Sequence, residues 1–148
     1  MDIVKHAGFY IKIINVKLEK FKNNYLSKYD ITSQQFSIVM FLLKHQGELI
    51  NQKRIEEEFN FSKPTISGLI DRLVEKGFVY REVDKDDVRS NIIKPSLKAV
   101  SLEKPFKDEL AKMECILTKG FSEEEKNNLI DILDKLYENI KEIGEQND

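Results

Sequence analysis

The chain has 148 residues and a net charge of −2; 41% of its residues are hydrophobic, 34% are charged and only six are glycine. This composition excludes a disordered or fibrous chain, and the lack of an apolar run of about 18 residues or of a leader pattern over residues 1–6 predicts a cytoplasmic protein with no membrane partner. One cysteine, Cys115, and two histidines occur at no spacing that suits zinc, so no disulfide, metal or other cofactor is expected.

The first predicted helix runs from Ile3 to Tyr25, because apolar residues recur every three or four positions along it and form one wide face. A second helix is predicted from Ser33 to about His45. Its start is marked by Thr32 and Gln35, which have the spacing of a capping box.

A third and a fourth helix follow at short intervals. Gly47 ends the second helix, residues 48–50 form a short extended piece, and Asn51 is a suitable N-cap for a helix over Gln52–Phe59. The fourth helix is predicted over Lys63–Lys76, with a proline in its first turn and a glycine directly after its last residue.

The fourth helix leads directly into a predicted β-hairpin. Its first half alternates in the manner of a strand, and its tip is rich in charged residues. The strands are predicted over Phe78–Val83 and Ser90–Lys94, with a polar turn over Asp84–Val88.

The remainder of the chain, from Ser96 to Asp148, is predicted to be helical with a break at Gly120. Ser122 and Glu125 have capping-box spacing and mark the start of the last helix. Pro105 leaves open whether the preceding segment is one helix or a short piece followed by a long one.

The order of these elements is the main functional signal. Two helices joined by a tight turn and followed at once by a hairpin form a winged helix-turn-helix, so a mainly α fold with a small β-hairpin wing is predicted. Residues 31–95 would form a DNA-binding lobe. Residues 1–30 and 96–148 would form a helical dimerisation region, because their apolar stripes would otherwise face water. A helical bundle with an incidental hairpin is the alternative.

The fourth helix is the candidate recognition helix. Its apolar stripe leaves short polar side chains pointing outward near its start, where a helix can enter the major groove of DNA. Gly68 in its middle costs about 1 kcal/mol relative to alanine. Close approach to a DNA backbone would explain that cost, and a solvated face that merely tolerates glycine is the alternative.

At the predicted wing tip, Arg89 follows an acidic turn. An arginine in this position can enter a narrow minor groove. Asp87 could hold its guanidinium in one orientation by a bidentate contact. A solvated charged turn is the alternative for this segment.

The run from Phe61 to Arg81, followed by Asp84, Asp87, Arg89 and Ser90, resembles the recognition helix and wing of the MarR (multiple antibiotic resistance regulator) family. The resemblance extends over essentially the whole chain. It implies that Thr65, Ser67 and Arg72 are among the major-groove and phosphate contacts and that Asp87 orients Arg89 in the minor groove. The full set of candidate DNA-binding residues is Lys63, Pro64, Thr65, Ser67, Gly68 and Arg72 in the helix and Asp87, Arg89 and Ser90 in the wing.

The resemblance also implies a transcriptional regulator that binds a pseudo-palindromic duplex operator as a homodimer. A repressor is expected rather than an activator. Release of the operator by a small-molecule effector is part of this expectation, and the sequence assigns no residue to the effector. A winged-helix module for protein contacts is the rival hypothesis, since residues 51–94 carry no net charge. No nucleophile–base constellation or phosphate loop is present in the sequence, so no enzyme is expected.

Overall fold

A computed structural model describes residues 6–145 of the chain. The chain divides into two compact units, one that extends to Glu103 and one that begins at Lys104. The helices are α1 (Ala7–Leu26), α2 (Ser33–Lys44), α3 (Gln52–Phe59), α4 (Lys63–Glu75), α5 (Leu97–Leu117) and α6 (Glu123–Glu145), and the strands are β1 (Val79–Val83) and β2 (Asn91–Pro95). The predicted elements are confirmed to within one or two residues at the ends that are described. The predicted start of the first helix at Ile3 lies outside the described residues.

Local caps fix where α2 and α3 begin. The Thr32 side chain accepts a hydrogen bond from the Gln35 backbone N–H at 3.3 Å, and the Gln35 side chain accepts one from the Thr32 N–H at 3.1 Å, which completes the predicted capping box of α2. Asn51 caps α3 by accepting from the Arg54 N–H at 2.9 Å. Each cap satisfies backbone donors that the helix itself leaves unpaired.

A glycine ends α4, the candidate recognition helix. Gly77 has a φ of +76°, a left-handed conformation that a side chain would strain. The Gly77 N–H donates to the Val74 carbonyl and the Phe78 N–H donates to the Leu73 carbonyl, at 3.0 and 2.9 Å. These two bonds form a Schellman motif, which turns the chain sharply into β1.

The wing is an antiparallel hairpin in which Val79 pairs with Pro95 and Val83 pairs with Asn91. The predicted extended piece after α2 joins its inner edge: the Ile93 N–H donates to the Ile50 carbonyl at 2.7 Å, and Asn51 forms an isolated bridge with Ile92. The wing is therefore attached to the start of α3 by backbone hydrogen bonds.

The core of the first unit lies among α2, α3, α4 and the hairpin. Ile66, Ile70 and Leu73 of α4 are completely buried, as predicted from their spacing. They belong to a group of buried apolar side chains that also includes Ile38, Val39, Leu42, Ile55, Phe78, Ile92 and Ile93. Each such side chain contributes about 1.5–3 kcal/mol to folding, so the core holds α4 with its opposite face outward.

From Lys104 onwards the chain forms the second unit. Helix α5 continues through Pro105 without interruption, which settles the question that the sequence left open. Ser122 and Glu125 form the predicted capping box at the start of α6, with bonds of 3.1 and 3.3 Å. No helix within residues 6–145 has the length and hydrophobicity to span a membrane.

Candidate nucleic-acid interface

The outward face of α4 carries the residues that the sequence proposed for DNA contact. Lys63, Pro64, Thr65, Gly68 and Arg72 are exposed, and Ser67 is half-buried. The start of the helix is held by Ser62, whose Oγ accepts from the Thr65 N–H at 3.4 Å and lies 2.8 Å from the Thr65 Oγ1. The first turn therefore presents small polar side chains and no bulky apolar one.

Gly68 lies in open space. A Cβ built on it would meet no atom within 4 Å. Its backbone is helical and shows no positive φ. The fold of this chain therefore does not require a glycine here, although glycine costs about 1 kcal/mol relative to alanine inside a helix. This observation agrees with both hypotheses for Gly68, close approach to a DNA backbone and a solvated face that tolerates glycine.

An ion pair connects α4 to the wing. Nη2 of Arg81 on β1 donates to Oδ1 of Asp71 on the outer face of α4. Both side chains are partly exposed, so the pair contributes little to the free energy of unfolding. Its effect is geometric, because it sets where the Arg81 guanidinium lies relative to the recognition helix.

The acidic residues of the wing form its turn. Oδ1 of Asp84 accepts from the Asp86 N–H and Oδ1 of Asp87 accepts from the Arg89 N–H, both at 3.0 Å. The Asp84 N–H donates to the Ser90 carbonyl at 3.1 Å and closes the loop. Arg89 is exposed at this tip, and Ser90 is half-buried beneath it.

The contact expected between Asp87 and the Arg89 guanidinium is not formed. Across residues 6–145 that guanidinium has no ion-pair partner, and the Asp87 carboxylate bonds instead to the Arg89 backbone. The reason is local: a carboxylate reaches the N–H two residues ahead with little loss of conformational freedom, which is the common aspartate turn. Asp87 thus shapes the loop that carries Arg89 and leaves the side chain free.

Three cations that the sequence did not bring together lie around one cleft with Arg89. This cleft has a volume of about 370 Å³ and lies between α3, the first turn of α4 and the wing. Lys53, Lys63 and Arg81 line it along with Arg89. Lys53 and Arg81 were absent from the predicted site. Side chains two positions apart lie on the same face of a strand. Arg81 could therefore have been assigned from the sequence to the same face as the buried Val79. Lys53 carries no such signal.

Two acidic side chains near this surface form ion pairs. Asp71 is paired with Arg81, and Glu82 lies 2.6 Å from Lys94, a contact that raises the pKa of Lys94. In contrast, the ammonium groups of Lys53 and Lys63 form no ion pair with any residue that the structure describes. Around the cleft, Lys53 and Lys63 are therefore unpaired cations while Asp71 and Glu82 are paired acids, a distribution that the zero net charge of residues 51–94 does not show.

A second charged cluster joins the end of α2 to α3. The Glu48 carboxylate bonds to Nδ1 of His45 through Oε2 and lies 3.3 Å from the Arg54 guanidinium through Oε1. The hydrogen bond from His45, followed by that from Arg54, lowers the pKa of Glu48 below its ordinary value. These bonds brace the end of α2 against α3. No group of three metal-binding side chains occurs within residues 6–145.

Comparison with known proteins gives consistent matches. The model of the MarR family matches residues 29–90. The HTH-type transcriptional repressor YetL of Bacillus subtilis is 25% identical over 93% of this chain and 90% of its own length, and the HTH-type transcriptional regulator SarZ of Staphylococcus haemolyticus is 29% identical over 88% and 86%. The crystal structure of the S. aureus MepR–DNA complex covers 91% of this chain and 98% of MepR, with a TM-score of 0.85 and 25% identity.

Proposed function

We propose that this chain is a member of the MarR family of transcriptional regulators, and that it binds a pseudo-palindromic DNA duplex as a homodimer and represses transcription. The relatives are named as a repressor and a regulator, and the MepR structure contains DNA. In this proposal the outer face of α4 enters the major groove. The wing tip carries Arg89 into the adjacent minor groove.

One observation carries the proposal: unpaired cations gather where the recognition helix and the wing meet. Lys53, Lys63 and Arg89 come from three different elements and line one cleft. Gathering like charges costs free energy unless an anion neutralises them, and a DNA backbone supplies regularly spaced anions.

The same observation bears on the rival hypothesis of a protein-contact module. That hypothesis was favoured by the zero net charge of residues 51–94, but charges act locally over about one Debye length, some 8–10 Å in physiological salt. Among the described residues that line the cleft, four cations face one carboxylate, that of Glu56, and Asp84 and Asp87 hold the turn of the wing. The field at the cleft is therefore positive even though the segment is neutral.

The homodimer is proposed from the apolar faces of the terminal helices. On α1, Tyr10, Ile14 and Phe21 share one face and are 51%, 47% and 40% exposed, and α6 exposes a stripe of its own. Monomeric proteins rarely leave such stripes in water, and a second copy of the chain can cover them. In this proposal residues 31–95 bind DNA, and residues 1–30 and 96–148 form the dimer interface.

The experiment that tests the function is selection from random DNA duplexes by the purified protein, followed by titration of the selected duplex at several salt concentrations. We expect inverted half-sites spaced by about one helical turn, and an affinity that falls steeply with salt. Recovery of unselected sequences together with salt-independent binding would support the protein-contact module instead.

Regulation of the operator complex is the remaining part of the proposal. A small molecule that binds the dimer would release the duplex, and the place of action would be the cytoplasm, where bacterial DNA is accessible. A screen for compounds that lower the fluorescence anisotropy of the labelled complex tests it. A compound that acts on this complex but not on an unrelated repressor–duplex pair would support the effector.

A further inference from the structure

Polar bonds hold the two ends of α4 in different ways. At its start the helix is capped by Ser62, the residue directly before it, and the Lys63 carbonyl accepts a long bond of 3.5 Å from Nε2 of Gln52 on α3. At its end, side chains from α2 and from the start of α5 bond to Lys76 and Gly77, directly after the last turn. The end of α4 is therefore tied to two elements outside the helix-turn-helix pair α3–α4.

Lys98, in the first turn of α5, makes two contacts at the end of α4. Its Nζ donates to the Lys76 carbonyl at 2.9 Å and lies 4.3 Å from the centre of the Phe78 ring. Carbonyls at the end of a helix lack partners within the helix, and the helix dipole favours a cation beside them. Lys98 thus brings from α5 a charge that suits the end of α4.

Ser96 joins the same two helices by hydrogen bonds. Its Oγ donates to the Gly77 carbonyl at 2.6 Å, and its N–H donates to the Phe78 carbonyl at 2.9 Å. The same Oγ accepts from the Ala99 N–H at 3.3 Å in the first turn of α5. One hydroxyl therefore serves both the end of α4 and the start of α5.

A second set of bonds leads from the end of α4 to α1. Nζ of Lys76 donates to Oε1 of Gln35 in the first turn of α2 at 3.2 Å. The Ser33 N–H in the same turn donates to Oδ1 of Asn23 on α1 at 2.9 Å. Ser33 and Gln35 are 4% and 1% exposed, so water competes little for these bonds. The bonds run from α1 through α2 to the end of α4.

We infer that Lys98 and Lys76 are positioning residues that fix the direction of α4 against α5 and α1, and thereby the half-site spacing that the dimer accepts. The inference rests on the proposed function, in which α4 enters the major groove and α1 and α5 belong to the dimerisation region. One base pair inserted between half-sites moves one of them by about 3.4 Å and rotates it by about 35°. Two firmly held helices cannot follow this shift, whereas helices released at their C-terminal ends can tilt toward it.

The test compares three duplexes: the selected operator and two copies, one with a base pair inserted between the half-sites and one with a base pair removed. Wild type should bind the altered copies many-fold more weakly than the operator. Lys98→Met should bind the operator several-fold more weakly than wild type does but lose several-fold less on the altered copies, so the ratio of the affinities falls. Because each ratio comes from one preparation, a smaller fraction of folded protein leaves it unchanged.

Three further variants make the outcome decisive. Lys76→Met should lower the ratio as Lys98→Met does, and Lys98→Arg, which keeps a cationic donor, should retain the wild-type ratio. Lys119→Met removes an exposed lysine of the second unit and should match wild type on all three duplexes. Equal losses on the three duplexes for Lys98→Met, or a wild type that accepts all spacings equally, would overturn the positioning role. If wild type binds no duplex at all, it is the proposed function that fails.

Discussion

Nζ of Lys76 lies 3.2 Å from Oε1 of Gln35, so the C-terminal end of the recognition helix is bonded to the first turn of α2. Gln35 is 1% exposed, and the same Oε1 also accepts the Thr32 N–H of the capping box. One buried oxygen therefore serves a local cap and a contact between helices. Asp30, 3.8 Å from the ammonium of Lys76, adds an exposed partner.

Replacement of Gln35 by leucine should lower the free energy of unfolding by about 1–3 kcal/mol, because the Thr32 N–H and the Lys76 ammonium both lose their buried acceptor. Urea denaturation measures the effect. Gln34→Leu, at an exposed neighbouring position, is the matched control and should change stability little. Equal losses for the two variants would mean that the hydrogen bonds of Gln35 contribute nothing specific.

Gly68→Ala should separate stability from DNA binding. The new methyl group meets no atom of the chain, so the variant should gain up to about 1 kcal/mol in the free energy of unfolding. If the backbone of α4 approaches DNA closely at this point, affinity for the selected duplex should fall at the same time. Thermal unfolding and a duplex titration on one preparation give both values. A variant that is more stable and binds equally well would assign Gly68 to a merely solvated face.

The local parts of the fold were predictable because each depends on residues close together in sequence. The capping boxes at Thr32 and Ser122 and the glycine ends of the helices all arise from hydrogen bonds within five residues. Helical periodicity likewise identified the buried face of α4. The outward face that carries the candidate recognition residues followed from it.

Contacts between distant segments could not be read in this way. Gln35 and Lys76 are 41 residues apart, and Asp71 and Arg81 come from a helix and a strand whose relative placement depends on the whole core. Lys53 reaches the cleft for the same reason. The bond from the Arg89 backbone N–H to the Asp87 carboxylate was not predicted for another reason: the N–H and the guanidinium of Arg89 compete for that carboxylate, and the N–H has the smaller entropic cost.

The exposed stripe of α6 should hold the dimer. Ile132 and Ile140 are 55% and 69% exposed, and glutamate at both positions would place charge against an apolar partner surface. Sedimentation of the double variant should show a dimer dissociation constant raised by at least about tenfold. Lys135→Glu on the same helix introduces the same side chain at a polar exposed position and should remain dimeric. A wild-type protein that sediments as a folded monomer would contradict the whole assignment.

The Glu48 brace should show its contribution only when the carboxylate is ionised. Because hydrogen bonds from His45 and Arg54 lower the folded-state pKa of Glu48, its stabilisation is fully present above the ordinary glutamate value of 4.5 and is lost as the pH falls through the lowered value. Wild type should therefore be more stable than Glu48→Gln at pH 7, and the difference should disappear in acid. The measurement is chemical denaturation from pH 7 to 3, with Glu57→Gln as the matched control on an exposed, unpaired carboxylate of α3.

Arg89→Ala should weaken operator binding by roughly 1–3 kcal/mol and lower the salt slope by about one unit per half-site, because one groove-inserted cation is lost. Asp87→Ala should weaken binding less, since it loosens the turn but keeps the positive charge. The two losses should not add in the double variant, because a turn cannot position a side chain that is absent. Titration of wild type and the three variants on one duplex at several salt concentrations provides the complete double-mutant cycle.

Asp87→Asn decides how Asp87 acts. An asparagine Oδ1 can accept the same bond from the Arg89 N–H, now 3.0 Å from the carboxylate, and it removes a negative charge from the wing tip. If the turn is what matters, Asp87→Asn should bind at least as tightly as wild type while Asp87→Ala binds more weakly. If the Asp87 carboxylate instead oriented the Arg89 guanidinium, both variants would lose that carboxylate. Asp87→Asn and Asp87→Ala would then weaken binding to the same extent. Full additivity between Asp87→Ala and Arg89→Ala would show that the two residues act independently.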